Sequence, residues 1–220
     1  MARPRRIMPA GYVYHVLNRG NDWQVLFRED ADFVDFMALL VFGAIKFGVR
    51  ICCYSLMRNH WHLLVWPLRD GAVSAFMHWV TTTHSLRYRR QYGTVGNGHV
   101  YQGRFRSFPV QTERYYFNAL RYVEANALRA HLVRRAEDWR WCSLHDRLRT
   151  VQLMGHGPLV LPPDWVDIVN APQEGTELEA IRACVGKGRP YGEERWVATT
   201  AAEQFIEQTL RPRGRPTRGT

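Results

Sequence analysis

The sequence has no long hydrophobic run. A helix that crosses a bilayer needs about 20 consecutive apolar residues, and the longest apolar candidate, residues 36–47, is interrupted by Gly43 and Lys46. The basic start of the chain, residues 1–6, is not followed by an apolar stretch with a small-residue cleavage site, as a signal peptide would be. We therefore expect a cytoplasmic protein.

Cysteine is scarce and shows no metal-binding or redox spacing. Cys52 and Cys53 are adjacent, and Cys142 and Cys184 stand alone. Without a Cys-x-x-Cys pair, neither a zinc knuckle nor a redox dithiol is indicated. Cys52 and Cys53 lie in an apolar segment, where a buried free thiol is the expected state.

Lysine is almost missing from a strongly basic chain. Lys46 and Lys187 are the only lysines among 30 basic residues, which stand against 20 acidic ones. Arginine binds phosphate through two hydrogen bonds and stacks on bases, which suits a nucleic-acid partner. A GC-rich genome also replaces lysine with arginine, but such a bias does not explain where the cations lie.

The charge divides the chain into three regions. Residues 1–150 carry an excess of 11 positive charges, residues 151–210 carry an excess of five negative charges, and residues 211–220 hold four arginines and no acid. We expect a folded basic domain over 1–150, a helical extension over 151–210 with short helices at about 176–185 and 193–210, and a disordered basic tail over 211–220. A polyanionic partner is favoured.

The tail contains an Arg-Gly-Arg core at Arg213 and Arg215, flanked by prolines. This pattern is typical of an AT-hook, in which an extended segment lies in the narrow minor groove of DNA. A generic basic arm that contacts only phosphates is the alternative.

Hydrophobic periodicity predicts a β-α-β-β-α-β-α order for the first region. That order is typical of a ferredoxin-like α+β fold, in which helices cover one face of an antiparallel sheet. The predicted strands are 12–17, 49–56, 60–66 and 100–110, and the predicted helices are 29–48, 71–91 and 112 to about 129–132.

His60 and His62 form the most informative local pattern. Alternate residues of a strand share a face, so both imidazoles project together while Trp61 points into the core. Such a pair can hold a divalent metal and leave positions open for substrate. About 0.4 His-x-His pairs are expected by chance in such a chain, so the pair alone is weak. We interpret the other histidines as structural or solvent-facing; they are His15, His78, His84, His99, His131, His145 and His156.

Tyr122 and Asn126 lie four residues apart on the last predicted helix, and are therefore neighbours on one face. Asn118 and Arg129 extend the same stripe. Asparagine has a poor helix propensity, so this stripe favours a functional interpretation. A solvated polar face beside a core tyrosine is the alternative, and Tyr115 and Tyr116 are rival tyrosines.

Cations and aromatics alternate between the second predicted helix and the start of the third. Such interleaving is typical of a surface that binds single-stranded DNA or a hairpin, although an ordinary solvated helix-loop face remains open. The predicted DNA-binding cations are Arg87, Arg89, Arg90, Arg104, Arg106 and Arg114, and the aromatics are Tyr88, Tyr92, Tyr101 and Phe105.

Taken together, these segments resemble the successive motifs of the single-tyrosine HUH transposases, and most closely those of the bacterial REP-associated tyrosine transposases. The resemblance covers about residues 8–145. The segments that carry it are Asn18-Arg-Gly, Leu56-Met-Arg-Asn-His-Trp-His-Leu-Leu64, Tyr101-Gln-Gly-Arg-Phe-Arg-Ser107, Tyr122-Val-Glu-Ala-Asn-Ala-Leu-Arg-Ala130 and Asp138-Trp-Arg-Trp141. Arg58 and Ala127 each replace a proline that is common in the family, which affects local backbone shape rather than chemistry.

The resemblance implies a role for each matched residue. His60 and His62 would be metal ligands, Asn126 a third, amide ligand, and Tyr122 the nucleophile that forms a 5′-phosphotyrosine. Mg²⁺ or Mn²⁺ is the implied cofactor. Hairpin-associated single-stranded DNA is the implied substrate, and DNA transposition, a recombination reaction at the nucleoid, is the implied process.

Two rival functions remain at this stage. Replication initiators and relaxases share the chemistry but usually bring helicase regions or larger chains. A domesticated, non-cleaving protein that binds DNA hairpins is the alternative of a different class, and the presence of His60, His62, Tyr122 and Asn126 argues against it. The sequence leaves open the target hairpin, the cleavage dinucleotide, the metal, and whether a monomer or a homodimer acts.

Overall fold

The computed structural model describes residues 7–96, 98–149, 157–173 and 175–211. Its first seven strands and α-helices follow the predicted order. They are β1 (Val13–Arg19), α1 (Asp30–Phe47), β2 (Val49–Met57), β3 (His60–Pro67), α2 (Ala72–Gln91), β4 (Arg106–Val110) and α3 (Arg114–Glu124). The predicted basic tail, apart from Arg211, lies outside the described residues.

The four strands form one antiparallel sheet in the order β2-β3-β1-β4. This order, with its two β-α-β units, is the ferredoxin-like α+β arrangement that the element order predicted. Within it, Asn18 of β1 lies opposite Trp61 of β3, and Arg19 lies opposite His60. The fold class is therefore confirmed.

Two long helices cover one face of the sheet, as expected. Their apolar side chains meet Trp61, Leu63 and Val65 of β3 in one core. Gly43 of α1 allows the two helices to approach closely, because a Cβ there would lie 2.8 Å from the Phe76 ring of α2. The helix α1 ends at Gly48, which adopts the left-handed conformation that favours glycine.

The expectation of helices on one face only was incomplete. The helix α3 packs on the opposite face, where Leu120 and Val123 meet Leu64 of β3 and Phe108 of β4 in a second core. Cys53 of β2 is part of the same core. All four cysteines are buried and free, as was expected for Cys52 and Cys53.

In the described part of the chain, five further α-helices follow α3. They are α4 (Asn126–Arg129), α5 (Ser143–Arg147), α6 (Trp165–Asn170), α7 (Gly175–Lys187) and α8 (Glu194–Glu203). Two of them correspond to the predicted extension helices, one is the end of the predicted third helix, and two were not predicted. The helix predicted over 193–210 ends at Glu203, and a separate 3-10 turn over Glu207–Leu210 follows it.

Three of the later helices make hydrogen bonds to α3. Trp165 of α6 donates from Nε1 to Oε2 of Glu124 at 2.7 Å, and Asn118 donates to Glu177 of α7 at 3.1 Å. The buried Glu124 carboxylate also accepts from Ser143 and Arg147. Contacts from α5, α6 and α7 therefore fix the position of α3. Within the described ranges, no helix is long and apolar enough to cross a membrane.

Candidate active site

His60 and His62 lie at the start of β3 and project toward the α3 face, as the strand alternation predicted. Their ring centroids are 5.3 Å apart with the planes at 87°. Trp61 between them is fully buried on the opposite face. The structure therefore brings the two imidazoles together at the boundary of the second core.

A third histidine, which the sequence interpretation missed, completes this group. His15 of β1 is fully buried, and its Nε2 shares a hydrogen bond of 3.0 Å with Nδ1 of His62. Its other nitrogen, Nδ1, is buried without a hydrogen-bond partner among the described residues. The bond orients the His62 ring and leaves its Nε2 available, as a residue behind a metal ligand commonly does.

Tyr122 reaches the histidines from α3. Its ring lies 5.9 Å from the His62 ring and 6.0 Å from the His15 ring, and the side chain is 8% exposed. The rival tyrosines point elsewhere. Tyr116 is buried in the second core, and Tyr115 packs against Tyr191 at 5.1 Å.

The predicted single helix over 112–132 is in fact two helices. It breaks at Ala125, so that Tyr122 ends up on α3 and Asn126 on α4. Arg129 of α4 spans the break: its guanidinium lies 4.2 Å over the Tyr122 ring, and its Nη2 donates to the Tyr122 carbonyl. The side chain of Arg129 thus fixes Tyr122 relative to the second half of the helix.

Asn126 lies close to His60, with its amide Nδ2 3.4 Å from Nε2 of the imidazole. His60 Nδ1 bonds to Asn59 Oδ1 at 2.8 Å, which directs Nε2 toward Asn126. The two ends of an amide are assigned from hydrogen-bond networks, and rotating this amide would turn its oxygen toward the same point.

These side chains could hold a divalent metal ion. Two imidazole nitrogens and one amide oxygen would ligate it and leave positions open for water or substrate oxygens. Among the described residues, no group of three or more His, Cys, Asp or Glu side chains could hold a metal. A metal here would therefore depend on the Asn126 amide as well as on His60 and His62.

The surroundings keep the imidazoles neutral. Burial, together with the charge of Arg19, lowers the pKa of His60 to about 4. Burial lowers the pKa of His62 well below its ordinary value, with His15, His60 and Arg129 adding to the effect. Neutral imidazole is the form that ligates a metal. Burial also lowers the pKa of Arg129, to about 10, so that it stays a cation at neutral pH.

Arg129 lacks an acidic partner in the part of the chain that the structure describes. Among the described residues, no carboxylate lies within ion-pair distance of its guanidinium, and its Nη1 is buried without a hydrogen-bond partner. Arg121 and Arg182 are close enough to lower its pKa further. A cation in these surroundings is suited to an anionic ligand at Tyr122.

The predicted DNA-binding cations have a mixed outcome. Arg87, Arg90, Arg104, Arg106 and Arg114 are exposed, whereas Arg89 is half-buried and donates to the Gly98 carbonyl. Arg213 and Arg215 lie outside the described residues.

The aromatics proposed to alternate with these cations do not form a stacking surface. Tyr88, Tyr101 and Phe105 are buried in the first core. Tyr92 is half-buried, and its hydroxyl donates to Asp32 at 2.6 Å. The interleaving therefore reflects core packing, and the cations alone remain candidates for DNA contact.

Comparisons with known proteins agree with the motif resemblance. The family model described as "Transposase IS200 like" matches residues 11–126, which is more than half of the chain, and the protein belongs to this family. The matched range contains His15, His60, His62, Tyr122 and Asn126. No curated protein sequence matches the chain significantly.

Solved structures that are similar to the chain include two transposases. A REP-associated tyrosine transposase bound to a REP hairpin has a TM-score of 0.55 at 14% identity, over 74% of this chain and 96% of that one. This likeness shows a shared fold. A candidate transposase from Deinococcus radiodurans R1 has a TM-score of 0.36 at 18% identity, over 60% of this chain and 92% of that one.

Proposed function

We propose that this transposase is a metal-dependent endonuclease and strand transferase for single-stranded DNA, with Tyr122 as its nucleophile. One observation carries the proposal: Tyr122 on α3 lies against His62, while Asn126 on α4 lies against His60. A tyrosine, two neutral imidazoles and an amide thus meet at one point of a fold whose family transposes DNA.

The proposed step is a transfer of a phosphoryl group. The Tyr122 oxygen attacks the scissile phosphorus, the bond to the 3′ oxygen of the preceding nucleotide breaks, and the phenolic proton ends on that oxygen. The products are a 5′-phosphotyrosine and a free 3′-hydroxyl. Because no water is consumed, the reverse reaction with a different 3′-hydroxyl joins two DNA ends.

The residues around Tyr122 would divide the remaining work. His60, His62 and Asn126 would hold Mg²⁺ or Mn²⁺, which supplies Lewis-acid polarisation of a phosphate oxygen. His15 keeps the His62 ring in one orientation. Arg129 brings positive charge to the place where the phosphoryl group must arrive, as preorganised donors do in other phosphoryl-transfer sites.

Hairpin-associated DNA at the nucleoid is the substrate we propose. The support is the shared fold with a transposase that was solved with a REP hairpin. The exposed arginines, together with Arg89, Arg213 and Arg215, would contact the phosphates of such a substrate.

A library of labelled single-stranded hairpins, incubated with the full-length protein and Mn²⁺, tests the proposal. We expect a covalent protein–DNA adduct that resists denaturation and disappears with chelator. Tyr122→Phe should abolish the adduct while leaving hairpin affinity nearly unchanged, because only the phenolic oxygen is lost. Tyr115→Phe is the matched control and should behave like the wild type.

Hairpin binding without any adduct would instead support the domesticated, non-cleaving alternative. Loss of the adduct in Tyr115→Phe alone would move the nucleophile to that residue.

A further inference from the structure

We propose that Trp23 and Arg19 form a stacking site for one unpaired nucleobase of the DNA strand that enters the candidate active site. The inference rests on the proposed function for its ligand, single-stranded DNA. It concerns a different part of the surface, and Trp23 belongs to neither the metal-binding group nor the predicted arginine surface.

Trp23 is held out from the protein. It is 63% exposed, although tryptophan is normally well covered. It belongs to a 3-10 turn over Asn21–Trp23, in which Asp22 has φ of 47° and Trp23 has φ of 60°. A bulky residue in the left-handed region is a genuine outlier, and such conformations persist where the surroundings impose them.

The turn is fixed by its neighbours. Gly20 N donates to the Asn59 carbonyl at 2.8 Å, and Asn21 N donates to the Val100 carbonyl at 2.9 Å. The Gln24 side chain also donates to the Val100 carbonyl. The exposed indole of Trp23 is therefore carried by a turn whose backbone is fixed by hydrogen bonds.

Arg19 supports one face of the indole. Its guanidinium carbon lies 3.8 Å from the ring centroid, within the range of a cation–π contact. Its Nε and Nη2 both donate to Gln102 Oε1, at 3.2 and 2.9 Å, so the guanidinium is held in place. The exposed fraction of the indole leaves surface on which a planar base can stack, as bases do on aromatic side chains of single-strand-binding proteins.

The location links this platform to the metal-binding pair. Arg19 is the cross-strand partner of His60, and the turn is bonded to Asn59, the residue before His60. Arg58 of the same hairpin and Arg104 of the neighbouring loop are exposed cations, and Asp22 is the one acid within the turn. This balance favours a strand with negative phosphates over an acidic or apolar partner.

Phe42 provides a matched control. It is a large aromatic with similar exposure, 58%, but it lies on α1 and packs against Trp79 at 5.5 Å. Removing it should change exposed aromatic area without touching the site end of the sheet.

An abasic scan tests the proposal. Every nucleotide in the single-stranded flank of a bound hairpin is replaced in turn by an abasic residue, and affinity is measured with full-length Tyr122→Phe protein to prevent cleavage. We expect one position at which loss of the base weakens binding by about 5- to 150-fold, the range for one stacked base.

Adding Trp23→Ala should weaken binding of the intact strand and erase the penalty at that position. Trp23→Phe should restore part of it, and Phe42→Ala should leave the profile unchanged. An unchanged abasic profile in Trp23→Ala, or a flat profile with Trp23 present, would overturn the stacking site and leave the proposed cleavage function intact. Failure of the wild type to form any adduct would instead count against the proposed function.

Discussion

On the face covered by α1 and α2, β3 contributes Trp61, Leu63 and Val65, whereas on the face covered by α3 the same strand contributes His60, His62 and Leu64. The first face is an apolar core throughout this strand. On the second face the strand begins with the imidazoles of His60 and His62 and becomes apolar from Leu64 onward. One strand therefore serves stability on one side and chemistry on the other, because its side chains alternate.

The two faces also treat a buried histidine differently. His84 on the α2 side bonds through Nδ1 to the Tyr101 hydroxyl at 2.8 Å. His15 on the α3 side bonds to another imidazole and leaves its Nδ1 without a partner in the described part of the chain. Buried polar groups are normally satisfied, so the unpartnered Nδ1 of His15 favours a functional site at this point of the α3 face.

The largest expected effect is the loss of cleavage on removing either imidazole of the pair. His60→Ala and His62→Ala should each eliminate the covalent adduct, because one imidazole and one amide are too few ligands to fix an octahedral cation. Asn126→Ala should be milder, since water can replace an amide oxygen. The measurement is adduct yield against Mn²⁺ concentration. Metal-independent cleavage in all three variants would make the group structural.

The contrast in stability between the faces should appear in a pair of neighbouring substitutions. Trp61→Ala removes a fully buried side chain and its bond to Tyr101, and should lower the free energy of unfolding by about 3–5 kcal/mol. His62→Ala on the opposite face should cost clearly less, since it removes a smaller group that is desolvated and polar. Urea unfolding of both variants measures the difference. Equal losses of unfolding free energy in the two variants would contradict the difference between the two faces of β3.

A smaller effect concerns pH. Burial lowers the pKa of His84 to about 4, with Asp32 opposing and Arg87 adding to the shift. Between about pH 6.5 and pH 4, His84 is protonated in the unfolded chain but not in the folded one. The free energy of unfolding therefore decreases as the pH falls through this range. His84→Gln removes this contribution and should make the stability–pH curve less steep in that window, with the lowered pKa values of His15, His60 and His62 providing the remaining slope. Urea midpoints at several pH values would show the difference.

The same variant should leave adduct formation at neutral pH unchanged, because His84 lies on the face covered by α1 and α2, opposite the candidate active site. A curve as steep as that of the wild type would show that His84 is protonated in the folded protein.

The smallest expected effect is that of the basic tail. Deleting residues 211–220 should leave folding and the metal site intact, and should weaken DNA binding. The log–log salt slope should fall by up to about four units if each arginine pairs with a phosphate. A greater loss on AT-rich than on GC-rich duplex would indicate that Arg213 and Arg215 lie in a minor groove. Equal losses would leave a phosphate-binding arm, and no change would make the tail dispensable for binding.

The sequence predicted those features of the site that depend on local periodicity. His60 and His62 share a face because a strand repeats every two residues. Tyr122 and Asn126 both reach the histidine pair, at His62 and at His60, although the helix breaks at Ala125 between them. These inferences need no knowledge of which strands pair.

Features that depend on long-range pairing could not be predicted. His15 joins the site because β1 pairs with β3 in one register, and a shift of one residue would have turned it to the other face. Tyr88, Tyr101 and Phe105 were assigned to a DNA surface, yet tertiary packing buries them. The exposure of Trp23 depends on two positive φ angles that no composition rule indicates.

The most direct test of the central claim, that Tyr122 and the histidine pair form one centre, is to locate the DNA on the chain. After reaction with Mn²⁺ and digestion of the bound DNA to a short remnant, trypsin should cut after Arg114, Arg121 and Arg129. Tyr122 then lies on peptide 122–129, and the rivals Tyr115 and Tyr116 lie on peptide 115–121. We predict that mass spectrometry finds the nucleotide on peptide 122–129, and that His62→Ala removes it. A nucleotide on peptide 115–121, or one on 122–129 that persists in His62→Ala, would contradict the account.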